Sequence, residues 1–84
     1  MGHYTYILHS KEIDRYYVGF TSDALKERLR KHNTNHKGYT GKANDWVVVY
    51  FETYNSKKEA YAREREIKSK KSRDYIERLI SSAG

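Results

Sequence analysis

The 84-residue chain is short enough to form a single domain spanning residues 1–84, so a separate domain supplying a ligand cleft is not expected. Cysteine is absent, which excludes disulfides and thiolate zinc sites, and no apolar run approaches the roughly 18 residues that span a bilayer. A net charge of +6 and nine tyrosines favour a nucleic acid partner, although positive charge also explains solubility alone. We expect a soluble protein of the cytoplasm.

The first third of the chain predicts a hairpin followed by a helix. Residues 3–10 alternate and are rich in Tyr, Thr and Ile, which is typical of a strand. A polar turn over residues 11–15 leads to a second aromatic and β-branched run over residues 16–21. Ser22 or Asp23 then provides the cap for a helix that reaches about residue 32.

The remaining two thirds predict a loop, a strand and two helices. Residues 33–45 contain glycines, asparagines and charges, which indicate a long loop. The near-continuous apolar run at residues 46–53 predicts a strand covered on both faces. Asn55 or Ser56 begins a helix that reaches about residue 69, and Ser72 caps a third helix that ends near residue 81. We expect an α+β fold, a small three-stranded, mostly antiparallel sheet flanked by helices in the order β-β-α-β-α-α.

Two polar residues share the apolar face of the first predicted helix. Arg28 follows Leu25 by three positions and His32 follows Leu29 by three, so both lie on the inward side. An arginine that snorkels from the helix edge and a histidine that caps the helix end would give the same pattern. Helical spacing alone favours this structural interpretation over a functional one. The other basic residues of this helix project mostly elsewhere: Lys26, Arg30 and Lys31.

Glu64 lies in the middle of the apolar stripe of the second predicted helix. Ala60, Tyr61 and Ile67 form this stripe. A buried carboxylate costs several kcal/mol unless it is paired or binds a metal. An internal ion pair, for example with Arg28, and a metal ligand therefore remain equally good interpretations. The charged residues of the outer side are Glu59, Arg63 and Glu66.

The predicted hairpin carries tyrosines and one glycine. Tyr6 shares a strand face with Tyr4 and Leu8, and Tyr17 shares a face with Gly19. A tyrosine in a strand usually packs in the core. A glycine inside a strand is more informative, because it often marks the close approach of a ligand or of another backbone.

Together these residues resemble the GIY-YIG nuclease family. The segments Tyr4-Thr5-Tyr6 and Tyr17-Val18-Gly19 are similar to the two tripeptides that name it, with Tyr4 and Thr5 in place of the leading glycine and isoleucine. Arg28 and His32 fit its first helix, and Glu64 fits the acidic residue of the next one. The resemblance extends from about Tyr4 to Leu79. It points to the small single-domain branch, which is similar to the N-terminal incision domain of the excinuclease.

The resemblance implies hydrolysis of a DNA phosphodiester by in-line attack of water, assisted by one divalent ion, Mg²⁺ or Mn²⁺. It assigns the general base to Tyr6, helped by His32 or Tyr17. Arg28 would hold phosphate oxygens and, with the metal, lower the pKa of Tyr6. Glu64 would bind the metal through its carboxylate.

Basic side chains outside this centre are candidates for contact with the DNA backbone, and Gly19 would leave room for its approach. Such contacts carry little sequence information, so we predict low sequence specificity, with DNA repair or recombination as a role. A solvated helix surface explains the same charges equally well. The candidates are Gly19, Lys26, Arg30, Lys31, Lys68, Lys70, Lys71 and Arg73.

Two other functions stay open. In the first, the chain is a nucleic-acid-binding module without catalysis. In the second, it is a nuclease-fold subunit of a larger assembly, with a protein partner and an undetermined oligomeric state. No membrane partner is expected. A zinc site built from histidines is disfavoured by ligand spacing. The four histidines are His3, His9, His32 and His36.

Overall fold

A computed structural model describes residues 2–34 and 39–83 and confirms the predicted α+β fold and element order. The strands are β1 (His3–Ser10), β2 (Arg15–Thr21) and β3 (Val47–Tyr54). The helices are α1 (Leu25–Thr34), α2 (Lys57–Ser69) and α3 (Arg73–Ala83). No helix within the described residues combines the length and the apolar character that crossing a bilayer requires.

The sheet has the order β2-β1-β3, and both pairings are antiparallel. β1 is therefore the central strand, and its residues Thr5, Tyr6, Ile7 and Leu8 are all buried. Thr5 is tolerated there because its hydroxyl donates to the carbonyl of Ala60 at 2.7 Å, which satisfies the buried polar group.

The prediction that the third strand is covered on both faces is wrong. β3 is an edge strand, with Val47 51% exposed and Phe51 53% exposed. A run of valines indicates a strand, but the position of that strand in the sheet depends on which strands pair with it. β3 pairs with β1 on one side and lies at the edge of the sheet. The pairing with β1 also shifts register between Ile7 and Leu8, a β-bulge of the kind found at sheet edges.

Helices cover both faces of the sheet and enclose two small cores. The first core lies on the β1 face that carries Tyr6, where Leu25 and Leu29 of α1 pack against it. The second core lies on the opposite face, under Ile67 of α2 and Ile76 of α3. The buried members of the first core are Tyr6, Leu8, Ala43 and Trp46, and those of the second are Ile7, Val18 and Ile67.

The predicted helix caps are correct for two helices and wrong for one. Ser56 accepts a hydrogen bond from the amide of Glu59 at the start of α2, and Ser72 accepts one from Tyr75 at the start of α3. α1 begins later than predicted, at Leu25, so neither Ser22 nor Asp23 caps it. The amide of Asp23 instead donates to Thr21 Oγ1 at 3.0 Å, which shapes a turn before the helix.

The predicted loop at residues 33–45 contains more structure than expected. α1 extends to Thr34, and a 3₁₀ helix spans Tyr39–Lys42. Asn33 lies in the last turn of α1, where its side-chain oxygen accepts from the amide of Trp46 at 2.8 Å and its amide group donates to the Trp46 carbonyl at 3.1 Å. This pair of hydrogen bonds ties the end of α1 to the start of β3. His36 lies outside the described residues.

Two residues of α2 face the opposite way from the prediction. Tyr61, placed in the buried stripe, is 44% exposed and packs at a tilted angle against Phe20, with ring centres 5.1 Å apart. Arg63, placed on the outer side, has a side chain only 18% exposed and forms a double hydrogen bond to Glu52 of β3. Arg63 is covered because Glu52 of β3 and the Tyr75 hydroxyl of α3 both accept hydrogen bonds from its guanidinium.

Candidate active site

Tyr6 is the centre of a group of polar side chains beside β2. Its ring is 1% exposed on the central strand, and its hydroxyl lies 2.9 Å from His32 Nε2. Arg28 Nε donates to the same hydroxyl at 3.4 Å. Because Arg28 and His32 are four residues apart on α1, one helix face supplies both contacts.

Gly19 makes room for this phenol. It is paired with Tyr6 in the β1–β2 register and is buried. A Cβ at this position would lie 2.7 Å from the Tyr6 hydroxyl oxygen, closer than real Cβ contacts allow, and 3.0 Å from the Tyr17 ring, which is also tight. This glycine therefore makes room for the Tyr6 side chain. From the sequence we expected the same space to admit a DNA backbone.

Tyr17 connects the α1 side of the site to α2. Its ring centre lies 4.9 Å from that of His32, and the Lys68 ammonium lies 5.6 Å from the Tyr17 ring centre. Lys68 in turn forms an ion pair with Glu64, with Nζ 3.5 Å from Oε2. The structure thus brings together a carboxylate, a guanidinium, an imidazole and two phenols from β1, β2, α1 and α2.

The pKa of Tyr6 is set by its burial and by the charged side chains around it. Burial raises the pKa of Tyr6 above its ordinary value, and the hydrogen bond and charge of Arg28 only partly oppose this, while the nearby charge of Glu64 adds to it. Arg28 alone, without the metal that the expectation joins to it, therefore does not lower the pKa of Tyr6 below its ordinary value. Tyr6 is accordingly protonated at neutral pH.

His32 is placed to accept the proton that Tyr6 carries. Burial and the charge of Arg28 lower the pKa of His32 to about 4, so its ring is neutral at pH 7. A neutral imidazole has one acceptor nitrogen, and Nε2 faces the Tyr6 hydroxyl. The Nε2 edge of its ring is directed to the Tyr6 hydroxyl.

The shifted pKa of His32 predicts that acid destabilises the fold. Between pH 6.5 and about 4 the unfolded chain binds a proton at this residue and the folded chain does not. The stability from neutral His32 is complete above pH 6.5 and is lost as the pH falls towards 4, by up to about 3 kcal/mol. Urea unfolding at pH 7 and pH 4.5 measures this loss. His32→Gln should lose less over the same interval, and an equal loss in both proteins would contradict the assignment.

The carboxylate of Glu64 is the group that could hold a metal. Its side chain is 11% exposed, and the structure pairs it with Lys68 rather than with Arg28, the ion pair considered from the sequence. Residues 2–34 and 39–83 contain no cluster of three or more His, Cys, Asp or Glu side chains that could hold a metal ion. One carboxylate does suit Mg²⁺ or Mn²⁺, because such ions keep several waters and add substrate phosphates.

The seven basic candidates for DNA contact are all exposed, and most already have a partner. Arg30 pairs with Glu27 at 2.9 Å, and Lys31 lies 3.7 Å from Asp23. Arg73 Nη2 lies 2.7 Å from Asp14 in the β1–β2 turn. Lys68 is the candidate that the structure brings into the site, beside Glu64 and Tyr17. Its position on an exposed helix surface did not reveal this from the sequence. The remaining surface candidates are Lys26, Lys70 and Lys71.

Comparison with known proteins identifies the family. The sequence profile of the GIY-YIG catalytic domain matches residues 2–77. A UPF0213 protein of Staphylococcus haemolyticus is 41% identical over 69 residues, which cover 80% of each chain. One from Clostridium perfringens is 39% identical over 80 residues, which cover 94% of this chain and 83% of the relative. One from Haloquadratum walsbyi is 35% identical over 68 residues, covering 80% and 74%.

No solved structure matches the chain. The family profile covers nearly the whole sequence, including the strands and helices that supply Tyr6, Tyr17, Arg28, His32 and Glu64. The relatives are themselves short, and the match covers at least 74% of each of the three. The chain therefore belongs to the GIY-YIG nuclease domain family, in the small single-domain branch formed by UPF0213 proteins.

Proposed function

We propose that this protein is an endonuclease that hydrolyses phosphodiester bonds in DNA with one Mg²⁺ or Mn²⁺ ion. Membership of a nuclease family supports the reaction class. The observation that carries the proposal is the environment of the Tyr6 hydroxyl, which receives a hydrogen bond from Arg28 and lies 2.9 Å from His32 Nε2. Glu64 supplies the carboxylate nearby.

In this proposal Tyr6 and His32 remove the proton from the attacking water together. Tyr6 is a weak base on its own, because it is protonated at neutral pH. As the water attacks phosphorus, one water proton moves to the Tyr6 oxygen and the Tyr6 proton moves to His32 Nε2. His32 becomes an imidazolium and returns this proton to solvent, and the leaving oxygen takes a proton from solvent.

Arg28 has two roles in the same step. Its Nε holds the Tyr6 hydroxyl, and its remaining donors are proposed to bind the non-bridging phosphate oxygens. The hydrogen bond to Tyr6 also raises the pKa of Arg28, so the guanidinium stays charged. Glu64 would hold the metal, which when bound stabilises the charge that develops on the leaving oxygen.

Low sequence specificity follows from the kind of contacts available. Exposed lysines and arginines bind phosphates, which are the same at every base pair. A nuclease of this kind selects its substrate by shape or strand structure. We therefore propose a role in DNA repair or recombination, where branched and damaged DNA is recognised in this way.

The proposal is tested by incubating supercoiled and branched DNA with the protein, with and without Mg²⁺. We expect Mg²⁺-dependent nicking by the wild type and a loss of about 10²-fold or more in Glu64→Gln. Glu66→Gln is the matched control, because it makes the same change on the same helix at an exposed ion pair with Arg63. This control should retain nicking close to the wild-type rate.

Three results would overturn parts of the proposal. Nicking that survives in Glu64→Gln would remove the metal role of this residue. A purified protein that binds DNA but cuts no form of it would be the binding module considered from the sequence. Activity that appears only with another cell protein would identify a subunit of a larger nuclease.

A further inference from the structure

Lys68 occupies the cleft directly beside the Glu64 carboxylate. Its ammonium lies 3.5 Å from Glu64 Oε2 and 5.6 Å from the centre of the Tyr17 ring. The same side chain lines a cleft of about 300 Å³ together with Tyr16, Tyr17 and Val18. Half of the Lys68 side chain is exposed, so it reaches solvent and Glu64 from one position.

Glu64 is held more loosely than a carboxylate of its burial usually is. Among the described residues its ion pair is the one with Lys68, at 3.5 Å, although its side chain is only 11% exposed. Arg63, the preceding residue of α2, shows the contrasting case, with two hydrogen bonds of 2.9 and 3.2 Å to Glu52. A nearly buried carboxylate with one long ion pair is suited to exchanging its cation.

We propose that Lys68 is a positioning residue that pairs with Glu64 in the metal-free protein and moves to a DNA phosphate when a metal binds Glu64. This inference rests on the proposed function, since it takes Glu64 as the metal ligand. In both states one cation neutralises the carboxylate. In the state paired with Glu64, the ammonium also lies beside the Tyr17 ring, whose face attracts a cation.

The flexible stem of lysine makes this exchange feasible. Lysine carries a compact charge on four methylene groups, and small torsional changes move that charge by several ångströms without moving the helix. Because the metal releases the cation that then binds DNA, metal binding and DNA binding become coupled. An ion pair of the same helical spacing whose carboxylate binds no metal, by contrast, gives no such coupling.

The first test measures metal affinity without any reaction. Mn²⁺ is titrated into the wild type, Lys68→Met and Lys70→Met, and line broadening of the tyrosine ring protons follows its binding. Lys68→Met should bind Mn²⁺ about three- to tenfold more tightly, because the competing cation is gone. Lys70→Met is the matched control, since its ammonium also lies 5.6 Å from a tyrosine ring, that of Tyr75. This control should stay within about twofold of the wild type.

The second test measures DNA affinity with and without Ca²⁺, at one ionic strength. Lys68→Met should lose several-fold affinity for a short duplex when Ca²⁺ is present and little when it is absent, because Lys68 contacts phosphate only after its release. Lys70→Met should change equally in both conditions. An unchanged Mn²⁺ affinity in Lys68→Met, or an equal loss of DNA affinity in both conditions, would overturn the exchange.

Glu64→Gln in the same Mn²⁺ titration separates this inference from the proposed function. If Glu64→Gln abolishes Mn²⁺ binding while Lys68→Met leaves the affinity unchanged, the metal assignment stands and the exchange by Lys68 fails. If Glu64→Gln binds Mn²⁺ as the wild type does, the metal assignment itself is wrong, and the exchange fails with it.

Discussion

Tyr6→Phe is expected to slow DNA nicking by about 10²- to 10⁴-fold while leaving the fold intact. The ring stays packed on the central strand, so the hydrophobic contacts of this 1% exposed residue are retained. The lost hydroxyl is the atom that His32 and Arg28 contact. Single-turnover nicking of supercoiled DNA at saturating Mg²⁺ measures the effect, and far-UV circular dichroism verifies folding.

Tyr4→Phe is the matched control for this experiment. Tyr4 lies two residues earlier on the same face of β1, where its ring packs edge-on against Phe51, with centres 6.2 Å apart. Removal of its hydroxyl should leave the nicking rate close to that of the wild type. If Tyr6→Phe also retained a rate within about tenfold of the wild type, the phenol would not be the group that takes the proton from water.

Arg63→Met is expected to lower the free energy of unfolding by about 3 kcal/mol. The Glu52 side chain is 20% exposed, and its carboxylate accepts from Arg63, Tyr50 and Tyr54. Without Arg63 this carboxylate keeps its phenol donors but loses its cation in a poorly hydrated position. A domain of this size has roughly 5 kcal/mol to lose, so much of its stability would disappear.

Urea denaturation measures this loss, with Arg65→Met as the control. Arg65 lies two residues further along α2, is exposed and contacts the Tyr61 ring at 5.8 Å, so its removal should cost about 1 kcal/mol or less. The double variant Glu52→Leu with Arg63→Met should recover most of the stability, because no unpaired charge is left. Equal losses in Arg63→Met and Arg65→Met would show that the Glu52 pair contributes little.

Local sequence patterns predicted the elements well but not their places in the sheet. The strand at residues 3–10, the caps at Ser56 and Ser72 and the element order agree with the structure, because alternation and capping are local properties. The burial of β3 and of Arg63 was predicted wrongly. Both depend on tertiary neighbours, namely the place of β3 at the edge of the sheet and the contacts of Arg63 with Glu52 of β3 and Tyr75 of α3.

The candidate site shows the same division between local and tertiary information. Helical spacing correctly put Arg28 and His32 on one inward face of α1. Spacing did not reveal the direction of the Tyr6 pKa shift, since this depends on how deeply the phenol is buried. It also did not reveal the place of Lys68 in the site, because an exposed helical lysine has no distinctive pattern.

The central position of β1 has a consequence for how this protein can change over evolution. Tyr6 is anchored in a strand hydrogen-bonded along both edges, the kind of segment that exchanges its amide hydrogens last. Its hydroxyl oxygen therefore keeps its position as long as the molecule remains folded. Arg28 and Glu64 reside on separate helices that pack onto that strand from outside. Under the proposed mechanism, new substrate preferences can therefore arise by adjusting the helices, while the proton acceptor on β1 is inherited unchanged.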